Sequence, residues 1–290
     1  MNARILTATP VVEKTKIDLK ERCLALKNRG ITPAMSVVLV GHNPASLSYI
    51  RNKKKICEEV GAKFTLEQYP SEISEKEFLG HIDRLNKDPG THGIIIQLPV
   101  SPQLRNLNLP DLVVPEKDID GFHSQNTQSL YEGSADLKLL LPCTPKGVIK
   151  LLQFYNVPIS GQNVVVVGRS LIVGKPLSML FTNLNATVTL THSKTRDLRE
   201  FTKNADIVVS AIGIAHLLDE TYFDKKRKTV VIDVGMNTFD GKLVGDCSRE
   251  RLLSTVEAIS PVPGGVGPMT VVSLIENLIV ATEGQLKGIK

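Results

Sequence analysis

An α/β fold in two parts is predicted, on three observations. Short β-branched runs alternate with helix-period segments along most of the chain. The length of 290 residues suits one large or two medium domains, and 42% hydrophobic with 22% charged residues is ordinary globular composition. A Pro- and Leu-rich irregular stretch, from "VSPQLRNLNLP" to "LLLPCTP", separates the two parts.

The elements follow in order. "SVVLVG" (36–41) reads as a buried strand and residues 44–60 as a helix. "FTLEQY" (64–69) alternates like a strand. Residues 74–88 form a helix with Phe78, Leu79, Ile82 and Leu85 on one stripe. "GIIIQLP" (93–99) is a buried strand ending on a polar residue and a proline. After the irregular stretch, "TPKGVIKLLQFY" opens a helix with Thr144 as N-cap and Pro145 at the first helical position. "NVVVVG", "ATVTLT", "DIVVSA" and "TVVIDV" are short buried strands with helical stretches between several of them, which is the pattern of a parallel sheet. A last helix, about 269–284, follows a Gly-rich loop and is expected to pack back on the first domain.

Composition excludes several classes. Lysine and arginine exceed aspartate and glutamate by 35 − 30 = 5, but the lysines are scattered, aromatics are 4% and Trp is absent. That is poor material for stacking on bases, so no nucleic-acid partner is expected. Cys23, Cys57, Cys143 and Cys247 are far apart with no CxxC spacing, and no HExxH pattern occurs. No metal site and no disulfide framework is expected, and a reducing compartment follows. "MNARILTATPVVEK" does not read as a signal peptide, and no run approaches the roughly 20 apolar residues of a membrane span. A cytoplasmic protein without a membrane partner is expected.

"VVVVGRSLIVGKPLSMLF" (164–181) reads as strand, glycine turn and helix, which lets backbone N–H groups face a pyrophosphate. Ser170 stands where the second glycine of GxGxxG would, so the turn alone also fits a strand-to-helix connection without a ligand. The next strand ends without the acidic residue that holds an NAD ribose diol. It offers Thr191, His192, Ser193, Lys194 and Thr195 instead, a set suited to a 2′-phosphate. With Arg169 in the turn, NADP is favoured over NAD.

"YIRNKKKIC" (49–57) places three lysines in one helix. At about 100° per residue, Ser46, Tyr49, Ile50, Ile56, Cys57 and Val60 share an arc centred on Lys53. Lys55 faces away and Lys54 lies on the flank. A lysine on a buried arc either snorkels to water or serves as an acid/base group whose pKa desolvation lowers. Spacing leaves both readings open. Gln97 ends a buried strand, a usual place for function in α/β folds. Asp118 and Asp120 precede a glycine turn, where Asx-turn chemistry could explain either. "SPVPGGVGPMT" (260–270) is stiff yet allows close backbone approach.

These segments, with "SYIRNKKKICEEVG", "GIIIQLPV", "PEKDIDGFHSQN", "LPCTPKGV", "VVVVGRSLIVGKPLS", "THSKT", "ADIVVSAIG", "VVIDVGMN" and "SPVPGGVGPMT" in order over about 36 to 282, resemble the bifunctional methylenetetrahydrofolate dehydrogenase/methenyltetrahydrofolate cyclohydrolase family. The resemblance implies a three-layer α/β catalytic domain (1–143 plus 268–290) and a Rossmann-like NADP-binding domain (144–267). It implies oxidation of 5,10-methylenetetrahydrofolate with NADP, then hydrolysis to 10-formyltetrahydrofolate, by a homodimer acting on tetrahydrofolate derivatives. The family's catalytic lysine falls on Lys53 and its ring-stacking tyrosine on Tyr49. Its QLP motif falls on Gln97 and Leu98, its pterin-binding aspartate on Asp120, and its glycine loop on Pro263, Gly264 and Gly265. Cofactor positions fall on Gly168, Arg169, Ser170, Ser193 and Met236, where isoleucine is more usual. The chain departs from the pattern before residue 30, after Pro99, at Asn126-Thr127-Gln128 and at Ser260. Two rivals are a protein keeping one of the two activities and a non-catalytic folate or NADP sensor.

Overall fold

A computed structural model describes residues 2–287. The chain divides into two compact units. One holds a three-stranded sheet and comprises Lys14–Ser129, Asp136–Cys143 and the chain from Val271 onward. The other holds a six-stranded sheet and comprises the residues up to Glu13, Leu130–Ala135 and Thr144–Thr270.

The chain opens with β1 (Arg4–Ile5) and α1 (Thr9–Lys27). Then come β2 (Ala34–Val40), α2 (Pro44–Glu59), β3 (Lys63–Tyr69), α3 (Glu75–Lys87) and β4 (Gly93–Gln97). β2 is the central strand of a parallel sheet ordered β3-β2-β4. It is buried on both faces, as its unbroken apolar run requires. Successive side chains alternate between faces. Val38, Val40 and Ile94 meet Phe78, Ile82 and Leu85 of α3 in one core, while Leu79, expected on the same stripe, is only half-buried. α3 starts on a capping box, Ser74 with Glu77. Gly93 lies on the other face, where a Cβ would come within 2.6 Å of Ile119 and 3.0 Å of Leu278. Helices therefore cover both faces, giving three layers.

The irregular stretch is not structureless. Besides short 3-10 turns it contains α4 (Ser124–Tyr131), which no periodicity had marked. α5 (Cys143–Phe154) begins one residue before the expected cap. Thr144 lies inside its first turn and exchanges a hydroxyl hydrogen bond with Thr270, 2.9 Å away.

The six-stranded sheet is wholly parallel. It takes β5 (Asn163–Val167), β6 (Thr187–Thr191), β7 (Ile207–Ser210), β8 (Val230–Asp233) and, after a small hairpin of β9 (Asn237–Phe239) and β10 (Lys242–Val244), β11 (Ala258–Ile259). α6 (Gly174–Asn183), α7 (Leu198–Thr202) and α8 (Arg249–Leu252) link them, and α9 (Val266–Lys287) follows. The order is β1-β11-β8-β7-β5-β6. The chain reverses direction across the sheet between β5 and β7, a switch point that opens a crevice at the strand ends.

Two expectations need correction. The resemblance assigns residues 1–143 to the first domain, but residues up to Glu13 belong to the other unit, where β1 pairs with β11 in the six-stranded sheet. Second, a helix long and apolar enough to cross a membrane does exist, α9 at Val266–Leu286, and 61% of its qualifying 18-residue stretch is buried. Its apolar residues Val272, Leu274, Ile275, Leu278 and Ile279 are core residues.

Candidate active site

α2 carries the lysine. Asn43 caps it, its Oδ1 accepting from Ala45 N at 2.9 Å and Ser46 N at 3.2 Å, and Pro44 fits the first turn. Ser46, Ile50 and Cys57 form its buried seam. Lys53 lies on that seam, half-buried, while Lys54 and Lys55 are exposed. Lys54 makes only a loose ion pair with Glu58, 3.8 Å. Lys53 finds a protein partner: its Nζ donates to Gln97 Oε1 at 3.0 Å. Gln97 Nε2 donates to Leu98 O at 2.9 Å, so the amide is held with its oxygen toward the lysine. Ser46 Oγ also donates to Leu98 O. Burial pushes the nearby Cys57 thiol up to about 12, which leaves it unreactive.

The structure separates the two aspartates. Asp118 is a structural turn residue: Oδ1 accepts from Gly121 N (3.1 Å), and Oδ2 accepts from His123 N (2.7 Å) and Asn126 Nδ2 (3.0 Å). Lys117 is buried and donates to Leu85 O and Asp88 O at the end of α3, pinning the same loop. Asp120 is left to face the lysine. Burial pushes its carboxyl above the ordinary range, the Lys53 charge pulls it back, and Asp118 adds to the rise. Lys53, Gln97 and Asp120 thus form one cluster at the carboxyl end of β4. Tyr49, one turn before Lys53, is 42% exposed, and Leu98 is 50% exposed. Both present open apolar surface in this unit.

The other predicted residues belong to the six-stranded unit. Gly168 follows β5 at φ +119°, and a Cβ there would collide with Ala211 O, beyond β7. Gly174 starts α6, where a Cβ would collide with Gly168 O. The backbone therefore crosses itself closely at the switch point, and only glycine fits at either place. Ser170 Oγ accepts from Val173 N (3.1 Å) and Gly174 N (3.3 Å), so the serine that replaces the usual glycine closes the turn itself. Gly168 N donates to Thr191 O, which places the end of β6 beside the turn. Beyond it, Ser193, Lys194 and Arg196 are exposed, as is Arg169. Among the described residues none of these three cations is in an ion pair, so their charge is available to an anion. No acidic side chain stands at the end of β6. A dinucleotide with a 2′-phosphate fits this donor set. Met236 is 44% exposed just after β8, with its Sδ near the start of α9 at Gly267. Gly264, at φ +97°, receives a hydrogen bond from Ala8 N at 2.8 Å. The N-terminal segment thereby braces the Pro263–Gly265 loop.

Sequence reasoning missed the roles of Ser46 and Lys117. It also missed Asp233 and Asp246, which organise the ends of β7 and β8. An aspartate inside "VVIDVG" was a visible anomaly in an apolar strand.

Comparison with known proteins agrees with this geometry. The tetrahydrofolate dehydrogenase/cyclohydrolase catalytic domain matches residues 6–120. The NAD(P)-binding domain of the same family matches residues 142–286. The "Bifunctional protein FolD" of Halalkalibacterium halodurans is 46% identical, over 98% of this chain and all of that one. A solved structure of the bifunctional enzyme FolD from Campylobacter jejuni superposes with TM-score 0.94 at 38% identity, covering 98% of this chain and 99% of that one. The Trypanosoma brucei methylenetetrahydrofolate dehydrogenase-cyclohydrolase, solved with NADP and an inhibitor, superposes with TM-score 0.92 at 30% identity, covering 99% of each chain. With both domains matched in order and near full-length relatives above 40% identity, the chain belongs to the tetrahydrofolate dehydrogenase/cyclohydrolase family.

Proposed function

We propose that this chain oxidises 5,10-methylenetetrahydrofolate to 5,10-methenyltetrahydrofolate with NADP and then hydrolyses that product to 10-formyltetrahydrofolate. The carrying observation is the Lys53 Nζ to Gln97 Oε1 bond of 3.0 Å on a half-buried helix face, with the Asp120 carboxyl within electrostatic reach. When bound, NADP supplies the hydride acceptor.

The protein's own groups do the rest. Gln97 holds the lysine nitrogen in one orientation, so its proton or lone pair points at the substrate carbon's surroundings. Lys53 then moves protons as water adds to the methenyl carbon and the ring nitrogen leaves. Asp120 receives the pterin amino and ring N–H groups, Tyr49 stacks on the ring, and Leu98 forms part of the wall. Pro263, Gly264 and Gly265 offer backbone to a bound ligand. Gly168, Arg169, Ser170, Ser193 and Met236 hold NADP, the exposed Arg169 and Ser193 taking the 2′-phosphate. The three-stranded unit is thus the folate-binding domain and the six-stranded unit the NADP-binding domain.

We also propose that the chain works in the cytoplasm as a homodimer. β3 is an edge of its sheet, with Phe64 and Leu66 beside Leu47 and Ile50 of α2 in a largely apolar groove that Arg51 and Lys54 also line. An open strand edge beside apolar surface suits pairing with a second copy.

The test is a spectrophotometric assay of methylenetetrahydrofolate oxidation with NADP and NAD side by side, followed by a methenyltetrahydrofolate hydrolysis assay. Turnover with NADP and hydrolysis together support the reading. NAD preference would remove the cofactor argument, loss of hydrolysis alone would leave a single-activity enzyme, and loss of both would favour a sensor.

A further inference from the structure

The six-stranded unit buries two carboxylates that the chemistry above does not use. Asp233 ends β8, Asp246 follows β10, and they are 3% and 0% exposed. Among the described residues neither has an ion-pair partner, so hydrogen bonds offset their burial. Asp246 uses both oxygens fully. Oδ2 accepts from Ser210 Oγ (3.0 Å) and Ile212 N (2.9 Å), and Oδ1 accepts from Ile214 N (3.0 Å) and Asn237 Nδ2 (3.0 Å). Asp246 N donates to Asp233 Oδ1 at 3.0 Å. Asp233 also accepts from Gly235 N (3.0 Å) and Cys247 N (2.9 Å). The glycines complete a reciprocal clasp: a Cβ at Gly235 would collide with Asp246, and one at Gly245 with Asp233.

The pattern brackets two residues of the proposed cofactor crevice. Ala211, whose carbonyl lies against Gly168, sits between Ser210 and Ile212, and both of those bond to one oxygen of Asp246. Met236 sits between Gly235, held by Asp233, and Asn237, held by Asp246. Stability alone does not explain the device. A buried pair of like charges is costly, and apolar packing would serve as well. What seven directional bonds provide is position, where the chain leaves β7 and β8 and passes Ala211 and Met236.

We propose that Asp246, linked to Asp233, is the positioning residue of the cofactor crevice, setting the wall at Ala211 against the phosphate turn and the seat of Met236. The proposal rests on the NADP reading above. It touches neither Lys53 nor Gln97, which lie in the other unit.

The test uses the full-length protein and three readouts: NADP affinity by fluorescence titration, dehydrogenase KM and kcat, and methenyltetrahydrofolate hydrolysis. Asp246→Asn places an amide donor against two donors and should weaken NADP binding about tenfold or more, chiefly in KM for NADP, because charge-assisted acceptors are lost. Asn237→Ala removes one bond and should weaken it about threefold. Hydrolysis should stay within about twofold of wild type in both, since position and not fold is altered. NADP affinity unchanged in Asp246→Asn overturns the proposal, and so does a fall in hydrolysis parallel to that in NADP binding. If Asp246→Asn does not fold, Asn237→Ala decides by the same criteria. A wild-type protein that does not bind NADP would bring down the functional reading itself, and this is seen before any variant is made.

Discussion

Lys53 and its two neighbours show what a helical count can and cannot read. Angular position singled out Lys53, and the structure half-buries it while exposing Lys54 and Lys55. Whether such a lysine reaches water or a partner depends on what lies opposite, and Gln97 is 44 positions away in the chain. Lys53→Met keeps the stem and removes the nitrogen. It should lower methenyltetrahydrofolate hydrolysis about a hundredfold or more while leaving the thermal transition nearly unchanged. Hydrolysis at the wild-type rate would end the assignment of Lys53 as the proton shuttle. Asp233 gives a prediction on pH. Burial is the main cause pushing its carboxyl from an ordinary 3.8 up to about 6, three backbone N–H groups resist, and the Asp246 charge adds to the rise. A raised carboxylate is bound more tightly by its proton in the folded state. Its stabilising contribution is therefore present at low pH and lost as pH rises from about 4 to about 6. That loss is at most about 3 kcal/mol. Denaturation curves at pH 4.5 and 7.5 should show wild type losing stability relative to Asp233→Asn as pH rises. A difference that does not change with pH would contradict the assignment.

At the scale of elements, Gly168 joins β5 to α6 at φ +119° with Ala211 O against its Cα. Gly168→Ala combines a strained backbone with a steric collision. It should abolish NADP binding and NADPH formation, and hydrolysis at Lys53 should persist. Retained NADP affinity, measured by the same fluorescence titration, would show that the turn is not the phosphate seat. The main strands were legible because parallel strands buried on both faces become unbroken valine and isoleucine runs. The two-residue β1 and β11, the hairpin β9–β10 and α4 were not. Elements that short carry no measurable period, and their neighbours in space supply most of their hydrogen bonds. The same reason hid the role of Asp118, since an Asx turn and a ligand-facing carboxylate read alike in "KDIDG".

For the whole molecule, the open edge at β3 predicts association. Leu66, 38% exposed on that edge, meets Phe64 and Leu47 in an apolar groove. Leu66→Glu should shift a dimer toward monomer in sedimentation without changing the secondary structure. A monomeric wild type would remove the homodimer. α9 belongs to this scale too. Its buried Asn277 donates to Ile119 O and Leu141 O, both at 2.9 Å, and so braces the loop that carries Asp120. By itself the sequence determined the α/β class, the parallel sheet of the second domain, the lysine on the buried arc and the strand-turn-helix suited to NADP. Each of these is written in local periodicity or in residue type at short spacing. Only the tertiary structure decided that residues 4–5 form a strand in the six-stranded sheet, that Lys53 Nζ and Gln97 Oε1 come within 3.0 Å, that Asp118 spends its oxygens on its own loop, and that Asp246 bonds to Ser210, Ile212, Ile214 and Asn237. Those outcomes depend on hydrogen bonds between residues distant in the chain, and such partners are chosen by packing, which no local pattern records.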